Sequence, residues 1–205
     1  MMMNKRDYSI ICDIERFRCL SRDDIMTLYF SHTRNPIPAV NKILRRLVDR
    51  DLLKVDRDAT PYLYFPAGSK MAFNSQKINH YRAIFNVYLG ICKLGGLRRF
   101  EVEPKLGAKG TVEPDVFCIW HGTPFFIEVQ LSNFYNTNYM LKKLARYEQY
   151  RLNGNWRGLD WQRKDKKVFP LVWIVSEKQY TGFPNVLQTK NAQEMYDKMK
   201  RVVTQ

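Results

Sequence analysis

The chain has 205 residues, 45% hydrophobic and 14% aromatic, which is enough apolar material for folded cores and excludes a wholly disordered chain. Lysine and arginine total 34 against 20 aspartate and glutamate, a formal net charge of +14 that favours an acidic partner, nucleic acid ahead of an anionic membrane surface. No apolar run approaches the ~18 residues of a spanning helix and no signal-type core follows the first residues, so a cytoplasmic location without membrane attachment is expected.

In chain order, Ile10, Ile14, Phe17 and Leu20 recur at helical spacing and predict a first helix over residues 6–20. Ser21 with Asp24 three positions on has the form of an N-cap and its capping acid, and Ile25, Leu28 and Tyr29 continue as a short second helix. After a loop ending at Pro36, a third helix is expected over residues 37–50. Val40, Ile43, Leu44 and Leu47 face inward, and a basic outer face carries Asn41, Lys42, Arg45 and Arg46. Two β-prone runs, residues 51–56 and 62–66, flank a charged tip at Arg57 and Asp58 and predict a hairpin.

Three helices followed by a hairpin, with Ile43, Leu44, Leu47, Leu52 and Leu53 leading from the third helix into the first strand, resemble a winged helix-turn-helix over residues 6–67. That resemblance implies a third helix entering the major groove, with Asn41, Lys42 and Arg45 reaching base edges and Arg46 and Arg57 touching phosphate. The residues themselves are also compatible with a solvated helix face in a module that binds protein or dimerises.

Turn residues at 66–69 mark a boundary, giving domains 1–68 and 69–205. The first holds 12 basic and 9 acidic residues and the second 22 and 11, so most of the positive field belongs to the second half. There the sequence predicts a helix over 77–94 that contains no Asp or Glu, strands at 99–103, 115–120 and 124–131, a helix over 137–151, a strand at 168–176 and a last helix over 192–203. This is an α+β order with a mixed sheet. Residues 142–167 hold nine basic and three acidic residues with Trp156 and Trp161 between them. Lys142, Arg146, Arg163 and Lys164 there are candidate phosphate contacts, and the tryptophans candidate stacking platforms that keep an RNA-directed enzyme or toxin in view. Cys12, Cys19, Cys92 and Cys118 form no CxxC pair and suggest reduced, packed thiols, and His32, His80 and His121 are too dispersed to ligate one metal.

Asp115 and Glu128 fall on two adjacent predicted strands, and the period of two puts Gln130 on the face of Glu128. Pro114-Asp115 followed by Glu128-Val129-Gln130 resembles the PD-(D/E)xK, or restriction-endonuclease-like, nuclease superfamily. The resemblance implies that Asp115 and Glu128 hold Mg²⁺ or Mn²⁺ while Gln130 positions water. Gln130 stands where that pattern has lysine, and Lys142 or Lys143 on the following helix is the candidate relocated cation, Lys143 being the one assigned to charge stabilisation at the phosphate. Glu103 or Glu113 are candidates for a third carboxylate.

The pairing of a winged helix with Ile78-Asn79-His80, Pro114-Asp115, the strand ending at Glu128-Val129 and Lys143 to Tyr150 resembles the replication-relaxation family of plasmid and mobile-element proteins. It implies a DNA-binding protein of plasmid or mobile-element replication or transfer, acting on duplex or branched DNA, with a second copy of the chain as a further candidate partner. A metal-dependent DNA endonuclease and a non-catalytic replication or transcription regulator are the two activities in view.

Overall fold

A computed structural model describes residues 3–131, 137–181 and 186–203, the side chains of 137, 202 and 203 excepted. The described residues form an α+β protein with six α-helices and two sheets, and none of their helices is long and apolar enough to cross a membrane. The chain divides into two compact units, Met1–Arg82 and Ala83–Gln205. The division lies beyond the turn at residues 66–69, because Ile78 and Tyr81 of the following helix are buried and belong to the first unit.

The first unit holds α1 (Lys5–Phe17), β1 (Leu20–Ser21), α2 (Arg22–Tyr29), α3 (Pro36–Val48), β2 (Leu53–Asp56) and β3 (Leu63–Pro66). Asn4 caps α1 by accepting the Asp7 amide at 2.8 Å, and the helix ends where Arg18 turns to φ 65°. Leu20, assigned to the first helix by periodicity, therefore lies on β1, a two-residue strand too short to leave a sequence signal. Ser21 both pairs with β3 and caps α2. Its hydroxyl accepts the Asp24 amide at 3.1 Å, and its own amide donates to Asp24 Oδ2 at 2.8 Å. This reciprocal cap satisfies two otherwise orphaned donors. Ser21→Ala leaves the strand pairing intact and removes the cap, so a loss of about 1 kcal/mol in urea-unfolding free energy is expected.

Helix α3 starts at Pro36, whose missing N–H costs nothing in a first turn. Val40, Ile43, Leu44 and Leu47 are all buried on its inner face. They meet Ile10, Ile14 and Phe17 of α1, Ile25 of α2 and Phe65 of β3 as the buried apolar set of this unit. Strands β2 and β3 pair antiparallel from Leu53↔Pro66 to Asp56↔Leu63, and β1 adds to the other side of β3.

Helix α4 (Lys77–Leu94) runs into the second unit, which also holds β4 (Leu97–Val102), β5 (Val116–Trp120), β6 (Thr123–Gln130), α5 (Thr137–Asn153), β7 (Leu171–Ser176), β8 (Leu187–Thr189) and α6 (Ala192–Val203). The five strands lie in the order β4-β5-β6-β7-β8, antiparallel from β4 to β6 and parallel from β6 to β8. A short 3₁₀ turn at Asn155–Gly158 and strand β8 are elements that periodicity does not predict, each being too short to show a period.

Alternation along the strands sorts the side chains onto two faces. Phe117, Phe126, Val172 and Ile174 pack with Met140, Leu144, Tyr147 and Tyr150 of α5 in one cluster. On the other face Trp120 stacks on Trp173 and on Tyr196 of α6, and Phe100 meets Tyr88 of α4 at 5.0 Å. Gly90 lets α4 approach the start of α6, since a Cβ there would lie 3.1 Å from that of Ala192. All four cysteines are free thiols. Cys19 and Cys118 are buried as expected, but Cys92 is exposed because it falls on the outer side of α4.

Candidate functional site

The sheet turns Asp115 and Glu128 toward one point. Asp115 immediately precedes β5 and its Oδ2 accepts the Val129 amide of β6 at 2.8 Å, which fixes the carboxylate across the strand pair. Glu128 lies on the α5 face of β6 and is completely buried. Helix α5 lays two polar side chains over it. The Tyr147 hydroxyl donates to Glu128 Oε1, and the Lys143 ammonium forms an ion pair with Oε2 while standing 3.8 Å from Asp115 Oδ1. Glu128 Oε2 has no directed hydrogen bond, so the ion pair is its one described partner.

Burial pushes the Glu128 carboxyl up to about 8, and the nearby charge of Asp115 acts in the same direction against the opposing pull of Lys143 and Tyr147. Lys143 loses solvation, which alone would lower its pKa, but Glu128 and Asp115 outweigh this and the net direction is up. Tyr147 is raised by burial and then by Glu128. The cluster therefore holds on to its protons, a property of carboxylates kept in the interior for chemistry as well as of structural ion pairs.

The spacing Lys143 to Tyr147 is one helical turn, so both side chains fall on the same side of α5. Helical spacing assigns Tyr147 to packing against the sheet. It does pack, 5.6 Å from the Phe126 ring, and its hydroxyl also orients Glu128. A hydroxyl-bearing residue four positions from the candidate lysine is the one sequence signal for that second role.

Other predicted residues are distributed differently. Gln130 lines a cleft of about 380 Å³ with Val129, Val175, Ser176 and parts of α4 and α6, and neither Asp115 nor Glu128 lines that cleft. Glu113 is exposed and salt-bridged to Lys105 at 2.8 Å. Among the described residues no three His, Cys, Asp or Glu side chains come together as a metal-holding group. Of the two expected tryptophan platforms, the buried Trp156 is corrected and the half-buried Trp161 packs in part. Trp156 is buried with its indole N–H donated to the Arg151 carbonyl at 2.9 Å, and Trp161 lies against Phe117 at 5.0 Å. Trp156 belongs to the core of its unit and Trp161 packs partly buried against it. Lys142 and Arg146 are exposed on α5, Arg163 is paired with Asp165 at 2.8 Å, and Lys164 is exposed.

In the first unit Asn41, Arg45 and Arg57 line one cavity of about 760 Å³ together with Arg22, Thr60 and Tyr62. Lys42 is exposed beside it on α3. Arg46, predicted to touch phosphate, is ion-paired with Asp7, which is only 2% exposed, so its guanidinium is engaged inside the unit. Compared with protein-family models, with curated proteins and with solved structures, the chain matches none.

Proposed function

We propose that the chain is a DNA-binding protein whose second unit carries a restriction-endonuclease-like, phosphodiester-hydrolysing centre and whose first unit engages duplex DNA as a winged helix. The observation that carries the reading is the convergence of Asp115, Glu128 and Lys143 at the ends of β5 and β6 under α5. The net charge of +14 supports a polyanionic substrate, and the shared cavity of Asn41, Arg45 and Arg57 supports the first unit as the duplex contact. The sequence resemblance to the replication-relaxation family supports a role in plasmid or mobile-element replication or transfer.

Asp115 Oδ1 and Glu128 Oε2 are the two oxygens that would hold Mg²⁺ or Mn²⁺. They fit such an ion, because magnesium needs only one or two protein carboxylates when water and substrate phosphate complete its shell. Bound there, the ion would polarise a phosphate oxygen and acidify a water. Val129 and Tyr147 hold the other oxygen of each carboxylate and so fix their orientation. Lys143 offers an ammonium to the negative charge that develops on the phosphate, which a neutral glutamine at position 130 could not do.

A second reading, a non-catalytic DNA-binding regulator, is favoured by one observation: Lys143 already stands as an internal counter-ion to both carboxylates. Incubation of supercoiled, linear and branched DNA with Mg²⁺ or Mn²⁺ separates the two. Nicking or cutting of at least one form is expected, and its absence from all three with tight binding retained favours the regulator.

A further inference from the structure

Below the hairpin, α1, the segment after β3 and the start of α4 enclose a cleft of about 700 Å³ whose lining includes Glu15, Arg18, Gly68, Lys70, Lys77 and Tyr81. Its charge is one-sided, three cationic side chains against the single carboxylate of Glu15. In the other clefts part of the basic charge is paired with acids on the same lining. In the cavity beside α3, Arg22 and Arg45 face Asp23 and Asp49 at 2.8 and 3.7 Å. In the cleft beside Gln130, Lys190 is paired with Glu177 at 3.1 Å. Lys70 and Lys77 are exposed and, among the described residues, neither forms a salt bridge with Glu15 or any other acid. Gly68 keeps the backbone open here, with no atom within 4 Å of where a Cβ would stand.

We infer that this cleft is a second phosphodiester-binding site, holding the backbone of DNA that flanks the segment contacted by α3. The inference rests on the DNA-binding reading of the first unit. The ribbon geometry argues for flanking DNA rather than the same phosphates. Pro66 is at the root of the β2–β3 pair, opposite Leu53, whereas the tip residues Arg57, Thr60 and Tyr62 line the cavity beside α3. Tyr64 in mid-strand also lines the cavity beside α3. At a rise of ~3.3 Å per residue, however, the tip residue Tyr62 is about 13 Å along the ribbon from Pro66, so a contact at the tip and one in this cleft fall on different phosphates. An unpaired ammonium in an open cleft suits a polyanion better than a neutral ligand, because each contact releases a condensed counterion at little cost in desolvation.

The test is the salt dependence of DNA binding by the full chain carrying Lys70→Gln and Lys77→Gln together, with Lys42→Ala/Arg45→Ala as the comparison on α3. Both lysines are exposed, so an unchanged thermal midpoint is expected for the first variant. The slope of log K against log[salt] should fall by roughly 1.8, about 0.9 for each lost phosphate contact, and equally for DNA of any sequence. An unchanged slope overturns the inference. A loss confined to binding of inorganic phosphate also overturns it, since the cleft would then take free anions and not a strand. If the cleft variant lowers the slope while the α3 variant leaves DNA affinity unmoved, the cleft stands and the winged-helix reading of α3 falls. If the parent chain binds no DNA, both fall together.

Discussion

Replacing Asp115 with alanine or asparagine lowers Mg²⁺-dependent DNA cleavage by about 10³-fold or more, while DNA affinity stays close to that of the parent. Two substitutions are needed because Asp115 has two tasks. Its Oδ2 accepts the Val129 amide, and alanine leaves that part-buried N–H without a partner, at a cost of about 1–3 kcal/mol. Asparagine keeps an oxygen for Val129 and loses only the charge. Equal loss of cleavage in both variants, with Asp115→Asn retaining the parent's stability, assigns the loss to the missing carboxylate. Affinity is spared because the exposed basic residues of α3, α5 and the loop after it are untouched. Single-turnover cleavage assays with filter-binding on the same samples check both parts, and an undiminished rate in Asp115→Asn would sink the nuclease assignment.

The parts of this chain that are legible in its sequence are those governed by local periodicity. The inward set Val40, Ile43, Leu44 and Leu47 repeats at helical spacing, and all four are buried. Ser21 and Asp24 form the expected cap because its geometry spans only four residues. The convergence of Asp115 with Glu128 follows from two adjacent strands and a short turn. What periodicity cannot report is which element covers a face. Arg45 and Arg46 are neighbours on α3, yet Arg46 meets Asp7, a residue 39 positions away, while Arg45 lies open to solvent. Similarly, aromatic residues among basic ones have the same composition whether they stack on bases or close a core, and Trp161 meets Phe117. Alternation places Gln130 two positions beyond Glu128, and it is still paired with Ser176 of β7, but it is the last residue of β6 and the cleft it lines is formed with parts of α4 and α6, which no strand period reports.

Glu128→Gln abolishes cleavage and, without metal, makes the protein more stable at pH 8. The buried carboxyl titrates near 8 in the folded chain against an ordinary value of 4.5. Its protonated form is the one the fold tolerates, so the stability tied to this proton is fully present below about pH 4.5 and is lost progressively as pH rises through about 8. The parent therefore loses stability over that interval through this group. Glutamine has no proton to lose and nearly the same shape. Its carbonyl can still accept from Tyr147, so the variant's stability should match the parent's near pH 5 and exceed it at pH 8. Lys143 offsets part of the cost in the parent but does not reverse it, because burial and the charge of Asp115 together outweigh its attraction. Urea unfolding at pH 5, 6.5 and 8 measures the difference. A parent curve that is flat across this range, or a variant less stable at pH 8, contradicts the argument. Adding Mg²⁺ supplies the second half of the test, since a ligand that binds only the folded, ionised site stabilises by mass action. The parent should gain stability with Mg²⁺ at pH 8 and the Glu128→Gln protein should not. The variant's gain at pH 8 follows from burial alone, whereas the parent's response to Mg²⁺ is what a purely structural ion pair would not show.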